Sequence, residues 1–512
     1  MDSSPPFRKV LVANRGEIAL RIMRGCRELG IATVAVFSDA DAEALHVRAA
    51  DEAFCIGPAP SAESYLRQDK LLDVALAAGC DAIHPGYGFL SENPAFARAV
   101  ADAGIAFVGP PPEAMEVMGD KVSARRAMKA AGVPVVPGTT EPVVDAEEAE
   151  RVAAEIGFPV MLKASAGGGG KGMRAVMTPA DLAPALRAAQ SEARNSFGDD
   201  RVYIERLVLR PRHVEVQVFS DSHGNHLHLF ERDCSIQRRH QKLVEESPCP
   251  VLRPHVRDAM TAVATRAAAA IDYIGAGTVE FLYDNATEEF FFLEMNTRLQ
   301  VEHPVTELIT GIDLVHTQLV VAAGGELPFT QADLKQNGHA IEVRICAEDP
   351  AENFRPAPGR IAALREPTGP WVRVDAAWYP GYEVPIFYDP MLAKLIVWGI
   401  TRDAAIQRMR RALAEFALTG IRHNLAFHRA VMNHPEFIEG KTVDTGYIAR
   451  HFGKDLMLAE GDDVGREVAV LAAAIAAHED RKRLQAEPSG AAVSSRGNAW
   501  ATAGRLRVLG GR

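Results

Sequence analysis

The sequence predicts an α/β protein whose first part is a doubly wound parallel sheet and whose later parts are of the α+β type. Short apolar strands alternate with helices from Lys9 to Gly109, which is typical of a mostly parallel sheet with helices on both faces. Farther along, strands 214–220 and 227–232 predict a second sheet that ends in a β-hairpin. A chain of 512 residues exceeds the usual size of one hydrophobic core, so about three structural units are expected.

The composition is that of a globular protein, with 47% apolar and 24% charged residues. The net charge of −11 argues against a general nucleic-acid-binding surface, which is normally basic. Six scattered cysteines without a Cys-x-x-Cys pair fit neither a disulfide framework nor a zinc site. The N-terminus lacks the apolar core of a signal peptide, and no apolar run reaches roughly 18 residues. We therefore expect a cytoplasmic protein with no membrane or nucleic-acid partner.

The first unit consists of strand 9–13, loop 14–17 and helix 18–29, in which apolar residues are spaced three and four apart. A second strand, 33–37, follows after Gly30. The loop Asn14-Arg-Gly-Glu is similar to a nucleotide-binding turn but lacks the G-x-G-x-x-G spacing, so no dinucleotide site is assigned.

A small module hinged on the main body is predicted at about 134–210, after a helix that stops at Gly132. It contains helix 146–156, strand 160–163, a glycine run, another helix and strand 202–205. A third portion begins near Gly338 with strand 340–344. An Ala-rich helix, 464–483, and a Pro/Ser/Gly/Ala linker follow it.

The apolar strand 290–293 leads directly into a row of polar side chains. Because side chains alternate along a strand, Glu294 and Asn296 project to one face. Strand 277–283 is the predicted hairpin partner, and counting back from the turn sets Glu280 opposite Glu294. Two carboxylates and one carboxamide oxygen suit Mg²⁺. A solvated, charged strand edge is the alternative.

If the extended backbone persists beyond this strand, Arg298, Gln300 and Glu302 continue along the same face. One guanidinium, one amide and one free carboxylate would then adjoin the metal ligands.

Four consecutive glycines, 167–170, lie between Lys163 and Lys171. Glycine loses the most backbone entropy on folding, so such a run favours close approach of backbone N–H groups to an anion and mobility to close over it. The spacing is not that of a P-loop. A flexible surface linker is the alternative.

Three further features leave two interpretations each. Glu205 could face an adenine edge or belong to a plain half-buried strand. The segment 232–242 has four Arg or Lys among eleven residues, which suits phosphate or bicarbonate but also a solvated basic face. Arg344 in an apolar strand needs an anionic partner, which is either a carboxylate in a structural salt bridge or a substrate.

Together these residues resemble the biotin carboxylase family of the ATP-grasp fold, including the α-type subunits of acetyl- and propionyl-CoA carboxylases. The resemblance extends from Phe7 to about Phe452. It is carried by the glycine run and by segments 13–19, 83–93, 118–121, 231–242, 294–307 and 347–350.

The resemblance implies four parts. These are an N-terminal biotin carboxylase domain, an ATP-grasp domain that includes a mobile glycine-rich lid, a C-terminal biotin carboxylase domain, and a helical tail with linker. Their expected bounds are 7–118, 119–325 with the lid at about 134–210, 338–452 and 453–512.

The resemblance also assigns roles to single residues. Lys121, Lys163 and His240 would hold the phosphates or ribose of ATP, with Gly169, Gly170 and Gln237 also in the nucleotide site. Glu205 and Leu207 would hold the adenine, with His213 nearby. The implied ligands of Mg²⁺ or Mn²⁺, with two ions expected, are Glu280, Glu294 and Asn296.

Bicarbonate would be bound by Lys242, Arg298, Gln300 and the backbone of Val301, and Glu302 would deprotonate it. By the same resemblance, bicarbonate attacks the γ-phosphate of ATP to give carboxyphosphate, which releases CO₂ beside biotin. Arg344 would then stabilise the ureido enolate of biotin.

Two departures from the family occur in the glycine loop, where Ala166 replaces a glycine and Lys171 an arginine. The tail is similar to the start of the linker domain in fused α-subunits. The only Met-Lys pair, Met128-Lys129, lacks the Ala-Met-Lys-Met biotin site. The biotin carrier is therefore expected on another polypeptide, unless this chain is a portion of a longer one. The resemblance also implies a homodimer and a carboxyltransferase subunit as a partner.

The expected function is the first half-reaction of an acyl-CoA carboxylase. The alternatives are the biotin carboxylase part of a pyruvate carboxylase, another ATP-grasp carboxylate–amine ligase and a non-catalytic nucleotide-binding subunit.

Overall fold

The computed structural model of the chain describes residues 5–139, 141–143, 145–164, 173–197, 200–239, 241–452 and 478. The chain divides into two compact units, Met1–Met457 and Leu458–Arg512, and the fold below is that of the first. The predicted glycine loop, with Gly169 and Gly170, lies outside the described residues, as do His240 and all of the predicted tail helix 464–483 except residue 478.

The N-terminal part alternates strands with helices. Its elements are β1 Lys9–Val12, α1 Gly16–Glu28, β2 Ala32–Ser38, α2 Leu45–Ala49, β3 Glu52–Gly57, α3 Gln68–Ala77, β4 Ala82–His84, α4 Pro94–Asp102, β5 Ala106–Phe107 and α5 Pro112–Gly119. The five strands form one sheet in the order β3-β2-β1-β4-β5, and all of them are parallel. Alternate residues of β1 enter different cores: Val10 and Val12 pack with α1, and Leu11 packs with α3 and α4. The predicted doubly wound parallel sheet is confirmed.

A small antiparallel sheet forms the next layer. The elements of this region are α6 Lys121–Ala130, α7 Ala146–Ile156, β6 Val160–Ala164, β7 Met173–Val176, α8 Pro179–Phe197 and β8 Val202–Arg206. The three strands pair in the order β7-β6-β8. The sheet has its own apolar core, in which Leu162 and Ile204 pack against Leu182 and Leu186 of α8.

The largest layer is an eight-stranded antiparallel sheet. Most of its strands and the helices among them are β9 Arg212–Ser220, β10 His226–Arg238, β11 Gln241–Ser247, α9 Pro254–Ala269, β12 Gly275–Tyr283, β13 Phe290–Asn296, α10 His303–Thr310, α11 Leu314–Ala322 and β14 His339–Cys346. Strands from residue 339 onward join this sheet through pairing of β11 with β14, so the second sheet does not stop at its hairpin and the third portion continues it.

The remaining elements follow β14 along the chain; two of them, the strands at 372–376 and 391–399, extend the large sheet at its far edge. They are β15 Glu348–Asp349, β16 Arg355–Pro356, β17 Gly359–Arg360, β18 Ala363–Arg365, β19 Val372–Ala376, β20 Glu383–Val384, β21 Met391–Gly399, α12 Arg402–Glu415, β22 Ala417–Thr419, α13 Leu425–Asn433, α14 Pro435–Glu439 and α15 Tyr447–His451. The order of the large sheet is β13-β12-β9-β10-β11-β14-β21-β19. Helices α12 and α13 share a core with one face of β14 and β21, which contains Val343, Leu395 and Met409.

Among the residues described, no single helix has the length and apolar composition needed to cross a bilayer. The helices His303–Thr310 and Leu314–Ala322, which are bent by 97° relative to each other, meet both criteria only when they are counted as one segment.

Candidate active site

A cavity of about 1640 Å³ lies among α6, the small sheet and the large sheet. It exceeds the roughly 300–1,000 Å³ of typical small-molecule sites. Every predicted site residue that the structure describes lines it: Lys121, Lys163, Glu205, Leu207, His213, Gln237, Lys242, Glu280, Glu294, Asn296, Arg298, Gln300, Val301, Glu302 and Arg344. The side chains predicted from separate motifs are therefore brought together around one space.

The β12–β13 hairpin has the predicted register, with Glu280 paired to Glu294 and Thr278 to Asn296. Its turn is closed by the Asp284 N–H, which donates to the Glu289 carbonyl at 2.8 Å. The predicted hairpin and the opposition of its two carboxylates are confirmed.

The extended backbone does not persist to residue 302, so that prediction was wrong. Strand β13 ends at Asn296, and Glu302 is the N-cap of α10, whose first turn contains a proline. Glu92, from the N-terminal part, draws the chain away from the sheet: it accepts the Thr297 N–H at 2.9 Å and the Arg298 Nε at 2.9 Å. Arg298, Gln300 and Glu302 reach the cavity from a loop.

The two hairpin carboxylates differ in their surroundings. Glu280 Oε1 accepts hydrogen bonds from Lys242 at 2.7 Å, Asn296 at 2.8 Å and Gln300 at 2.9 Å. Burial disfavours its charge, but Lys242 and His213 hold the pKa of Glu280 well below its usual range. The position of Glu294 inside the cleft and the neighbouring Glu280 carboxylate raise the pKa of Glu294.

This donor set fits a hard divalent cation. Glu294 accepts no hydrogen bond from the described part of the chain, and Glu280 lies opposite it, so a cation between them would relieve the repulsion that raises the pKa of Glu294. Asn296 adds an amide, whose oxygen accepts from Arg298 at 2.9 Å.

Lys242, Glu302 and Arg344 form the centre of the site. The Lys242 ammonium contacts Glu215 at 2.5 Å, Glu280 at 2.7 Å and Glu302 at 2.7 Å, while Arg344 donates to the second Glu302 oxygen at 2.9 Å. Burial opposes the charge of Lys242, yet these carboxylates raise its pKa well above the ordinary value. Burial likewise opposes the charge of Glu302, but Lys242 and Arg344 hold its pKa well below the usual range.

The described residues of the basic segment 232–242 differ in exposure: Arg232 is buried, Arg239 is exposed, and Gln237, Arg239 and Lys242 line the cavity. The Arg232 guanidinium is fully buried beneath the cavity, with Nε 2.5 Å from Glu215. It also donates to the side-chain oxygen of Gln300 at 2.9 Å. Because the Gln300 oxygen is occupied from below, its amide N–H₂ is directed to Glu280.

Lys394 lies behind the cavity wall and supports the site, which sequence reasoning missed. It is fully buried, donates to the Val301 carbonyl at 2.9 Å and lies 3.3 Å from Glu17. It therefore fixes the loop that carries Arg298 and Glu302. The sequence does show one cation within the apolar segment 391–399, and the same pattern singled out Arg344. This pattern could have identified Lys394, because a buried cation needs an anionic or polar partner.

At the end of the cavity where the sequence predicts nucleotide binding, ion pairs connect the small sheet with α6. Glu205 on β8 contacts the Lys163 ammonium of β6 and accepts from Arg125 of α6 at 2.9 Å. The Leu207 N–H donates to the Pro159 carbonyl at 2.9 Å. The carboxylate of Glu205 and the amide of Leu207 are thus already engaged, which the prediction of two adenine ligands did not anticipate.

His213 and Gln237 lie farther along the same wall. His213 is buried, with Nε2 3.0 Å from Glu280 Oε2, and the charge of Glu280 raises its pKa even though burial acts in the opposite direction. Gln237 is half-buried and lies opposite Lys242 in the β10–β11 pair. Lys121 begins α6 at the cavity edge.

Three known families match successive parts of the chain. Residues 6–115 match "Biotin carboxylase, N-terminal domain", residues 120–330 match "Carbamoyl-phosphate synthase L chain, ATP binding domain", and residues 342–450 match "Biotin carboxylase C-terminal domain".

Individual proteins are similar over most of their length. The chain is 56% identical over 436 residues to a pyruvate carboxylase subunit of Methanothermobacter thermautotrophicus, covering 85% of this chain and 88% of that protein. It is 54% identical over 435 residues to biotin carboxylase 1 of Bacillus subtilis, covering 85% and 97%. The biotin carboxylase domain dimer of Hydrogenobacter thermophilus 2-oxoglutarate carboxylase, in complex with MgADP, ADP and bicarbonate, has a TM-score of 0.79 at 46% identity, covering 87% of this chain and 98% of that chain.

Proposed function

This chain belongs to the biotin carboxylase family, and we propose that its cavity carries out the ATP-dependent carboxylation of biotin by bicarbonate. The observation that supports this most is the contact of Glu302 with both Lys242 and Arg344, beside the Glu280–Glu294 hairpin. The same cavity then contains a proton acceptor, cations that can bind anionic substrates, and oxygen ligands for a metal.

Lys121 and Lys163 are placed to bind the phosphates of ATP. For Lys163 this requires that its ammonium leave Glu205 when nucleotide binds. Glu280, Glu294 and Asn296 would hold Mg²⁺ or Mn²⁺, which supplies neutralisation of phosphate charge when bound.

Bicarbonate binding falls to Lys242, Arg298 and Gln300. The low pKa of Glu302 keeps it ionised before bicarbonate enters. An anion that competes for Lys242 and Arg344 weakens their hold on Glu302 and thereby raises its proton affinity. Glu302 then takes the bicarbonate proton, and a bicarbonate oxygen attacks the γ-phosphorus of ATP as the bond to ADP breaks.

The product of that step is carboxyphosphate, which gives CO₂ and phosphate. The phosphate takes the N1 proton of biotin, and N1 forms the new bond to CO₂. Arg344 has a guanidinium at the cavity wall and stabilises the negative ureido oxygen of biotin. Water must be kept out while carboxyphosphate exists, a role that we assign to the small-sheet region as a lid.

The partners follow from the chemistry. Biotin is a carrier-bound substrate, so we propose a homodimer that works with a biotin carrier protein or domain and with a carboxyltransferase subunit. We propose an acyl-CoA ester as the final acceptor. Pyruvate is the alternative, which the 56% identity to a subunit of a pyruvate carboxylase supports.

We also propose that the protein works in the cytoplasm. All six of its cysteines are free thiols, five of them buried, which is typical of a reducing compartment.

Phosphate release from Mg-ATP tests the function, measured with and without bicarbonate and free biotin. Release that needs both co-substrates and collapses in Glu302→Gln is the expected result, because the amide cannot accept the bicarbonate proton. Hydrolysis of ATP that is indifferent to biotin would point to another ATP-grasp ligase or to a subunit that acts only when assembled.

A further inference from the structure

Two buried carboxyl groups face each other directly beneath Arg344. Glu245 of β11 and Glu342 of β14 are paired in the antiparallel register, so their side chains project from the same face of the sheet. Both have 0% exposure. Glu245 Oε1 accepts from Arg344 Nε at 2.7 Å, but Glu245 Oε2 and both oxygens of Glu342 have no hydrogen-bond partner among the described residues.

The cations around this pair are already engaged. Arg344 is shared between Glu245 and Glu302. Lys394 is paired with Arg344 in the β14–β21 register, but it lies 3.3 Å from Glu17 and 3.8 Å from Asp375.

Farther away, Lys242 and Arg232 are bound by Glu215. Three other titratable groups interact with the pair, from β10, the N-cap of α10 and the N-terminal part, and they are neutral or anionic: Cys234, Glu302 and Tyr87.

Two ionised carboxylates cannot both persist at this place. An ionised group in an apolar interior is costly unless a cation contacts it, and no cation of the described chain contacts Glu342. Burial, and the nearby Glu245 carboxylate, raise the pKa of Glu342 well above its usual range. Burial and the Glu302 carboxylate raise the pKa of Glu245 to about 7, against the effect of Arg344. Such a pair titrates as a unit.

We propose that Glu245 and Glu342 share one proton and act as positioning residues that hold Arg344 toward Glu302 and the biotin site. With one proton on the pair, a single negative charge on Glu245 balances Glu302 on the opposite side of the guanidinium. Loss of that proton places a second negative charge behind Arg344 and draws it away from the cavity. The role in biotin activation rests on the proposed function.

The first test is the pH profile of biotin-dependent phosphate release. The wild type should lose activity on the alkaline side, and Glu342→Gln should move that limb upward by about one pH unit or more, because an amide cannot ionise. Glu245→Gln should lower the biotin-dependent rate about 10- to 100-fold, since it removes a charged hydrogen bond to Arg344. Glu246→Gln is the matched control: its carboxylate pairs with Arg402 and His339, so its removal affects stability and leaves the alkaline limb in place.

The second test does not depend on turnover. Infrared difference spectra recorded across neutral to alkaline pH should show a protonated carboxyl band in the wild type that is absent in Glu342→Gln. In Glu245→Gln the remaining band should titrate at lower pH, because a neutral amide replaces the like charge. An unchanged band in Glu245→Gln overturns the proposal even if Glu342→Gln does not fold, and an unchanged alkaline limb in a folded Glu342→Gln overturns it as well. If the wild type shows no biotin-dependent release, the proposed function fails, and the infrared spectra alone decide whether the proton is shared.

Discussion

At the residue scale, the site depends on charges that are buried and fully paired. The Arg232 guanidinium has 0% exposure and makes five hydrogen bonds, to Glu215, Gln217, Thr278, Gln300 and Thr306. Together with Lys242 it neutralises the fully buried Glu215. Transfer of such a charge from water into the protein interior costs free energy. Removal of one partner therefore leaves the other partner as a buried charge without compensation.

We therefore expect Arg232→Met to lower the free energy of unfolding by about 3–5 kcal/mol, because it leaves Glu215 with one cation fewer and Gln300 without a donor. Urea denaturation followed by circular dichroism measures this change. Arg8→Met is the control: Arg8 pairs with Asp81 at the surface with its side chain 87% exposed, so its replacement should lower the free energy of unfolding far less. Equal losses in the two variants would contradict a structural role for the buried guanidinium.

The proposed metal ligands give a second residue-scale prediction. Glu294→Gln should raise the Mg²⁺ concentration that gives half-maximal rate by about tenfold or more, since an amide replaces one of two carboxylates in the donor set. Titration of activity with Mg²⁺ at saturating ATP measures it. Glu289→Gln, on the loop before the same strand and paired with Arg206, should leave the Mg²⁺ requirement unchanged. A Glu294 variant with an unaltered requirement would place the metal elsewhere.

At the element scale, the sequence could predict what depends on neighbours along the chain. The hairpin and the Glu280–Glu294 opposition follow from alternation and one turn, both local. The path after Asn296 could not be predicted, because Glu92, about two hundred residues earlier, captures Thr297 and Arg298. The burial of Arg232 could not be predicted either, because its partners, among them Glu215, Thr278 and Gln300, are spread over three other parts of the chain.

The continuous large sheet was also beyond sequence reasoning. It depends on β11 pairing with β14 nearly a hundred residues later, and hydrophobic alternation specifies a face for each strand but not its neighbour. The glycine run and the cations of apolar strands were informative because each destabilises the folded state, through lost backbone entropy or a buried charge. Such residues indicate a compensating contact or a function.

The capture of the loop by Glu92 can be tested. Glu92→Ala should raise the KM for bicarbonate about five- to tenfold while changing the KM for ATP little, because Arg298 loses the carboxylate that orients its Nε. Steady-state kinetics with each substrate varied in turn give both constants. Glu113→Ala, which removes a surface partner of Arg98 in the same part of the chain, should alter neither. Equal increases in both KM values would indicate a general disturbance of the cavity and not a positioned Arg298.

At the scale of the whole molecule, the large sheet, the small and separately packed sheet and α6 meet around one cavity. The large sheet carries the proposed metal ligands on β12 and β13, Lys242 on β11 and Arg344 on β14, so these groups belong to one hydrogen-bonded sheet. The small sheet has its own core and contributes Lys163 and Glu205 to the opposite wall. Lys163 and Glu205 form a carboxylate–ammonium contact between two neighbouring strands of the small sheet, and a polyphosphate can compete with Glu205 for the ammonium.

This arrangement predicts that nucleotide closes the small sheet over the large one. Hydrogen exchange should slow by about tenfold in Val160–Ala164 and Val202–Arg206 when MgATP binds, and should stay unchanged in Arg212–Ser220, which is already central in the large sheet. Lys163→Met should abolish the protection, because the phosphates lose the cation that draws the small sheet inward. Protection that appears equally in all three strands would indicate general stabilisation by ligand, and protection that survives in Lys163→Met would assign closure to other contacts. Only the localised, lysine-dependent result supports a lid that shields the reaction from water.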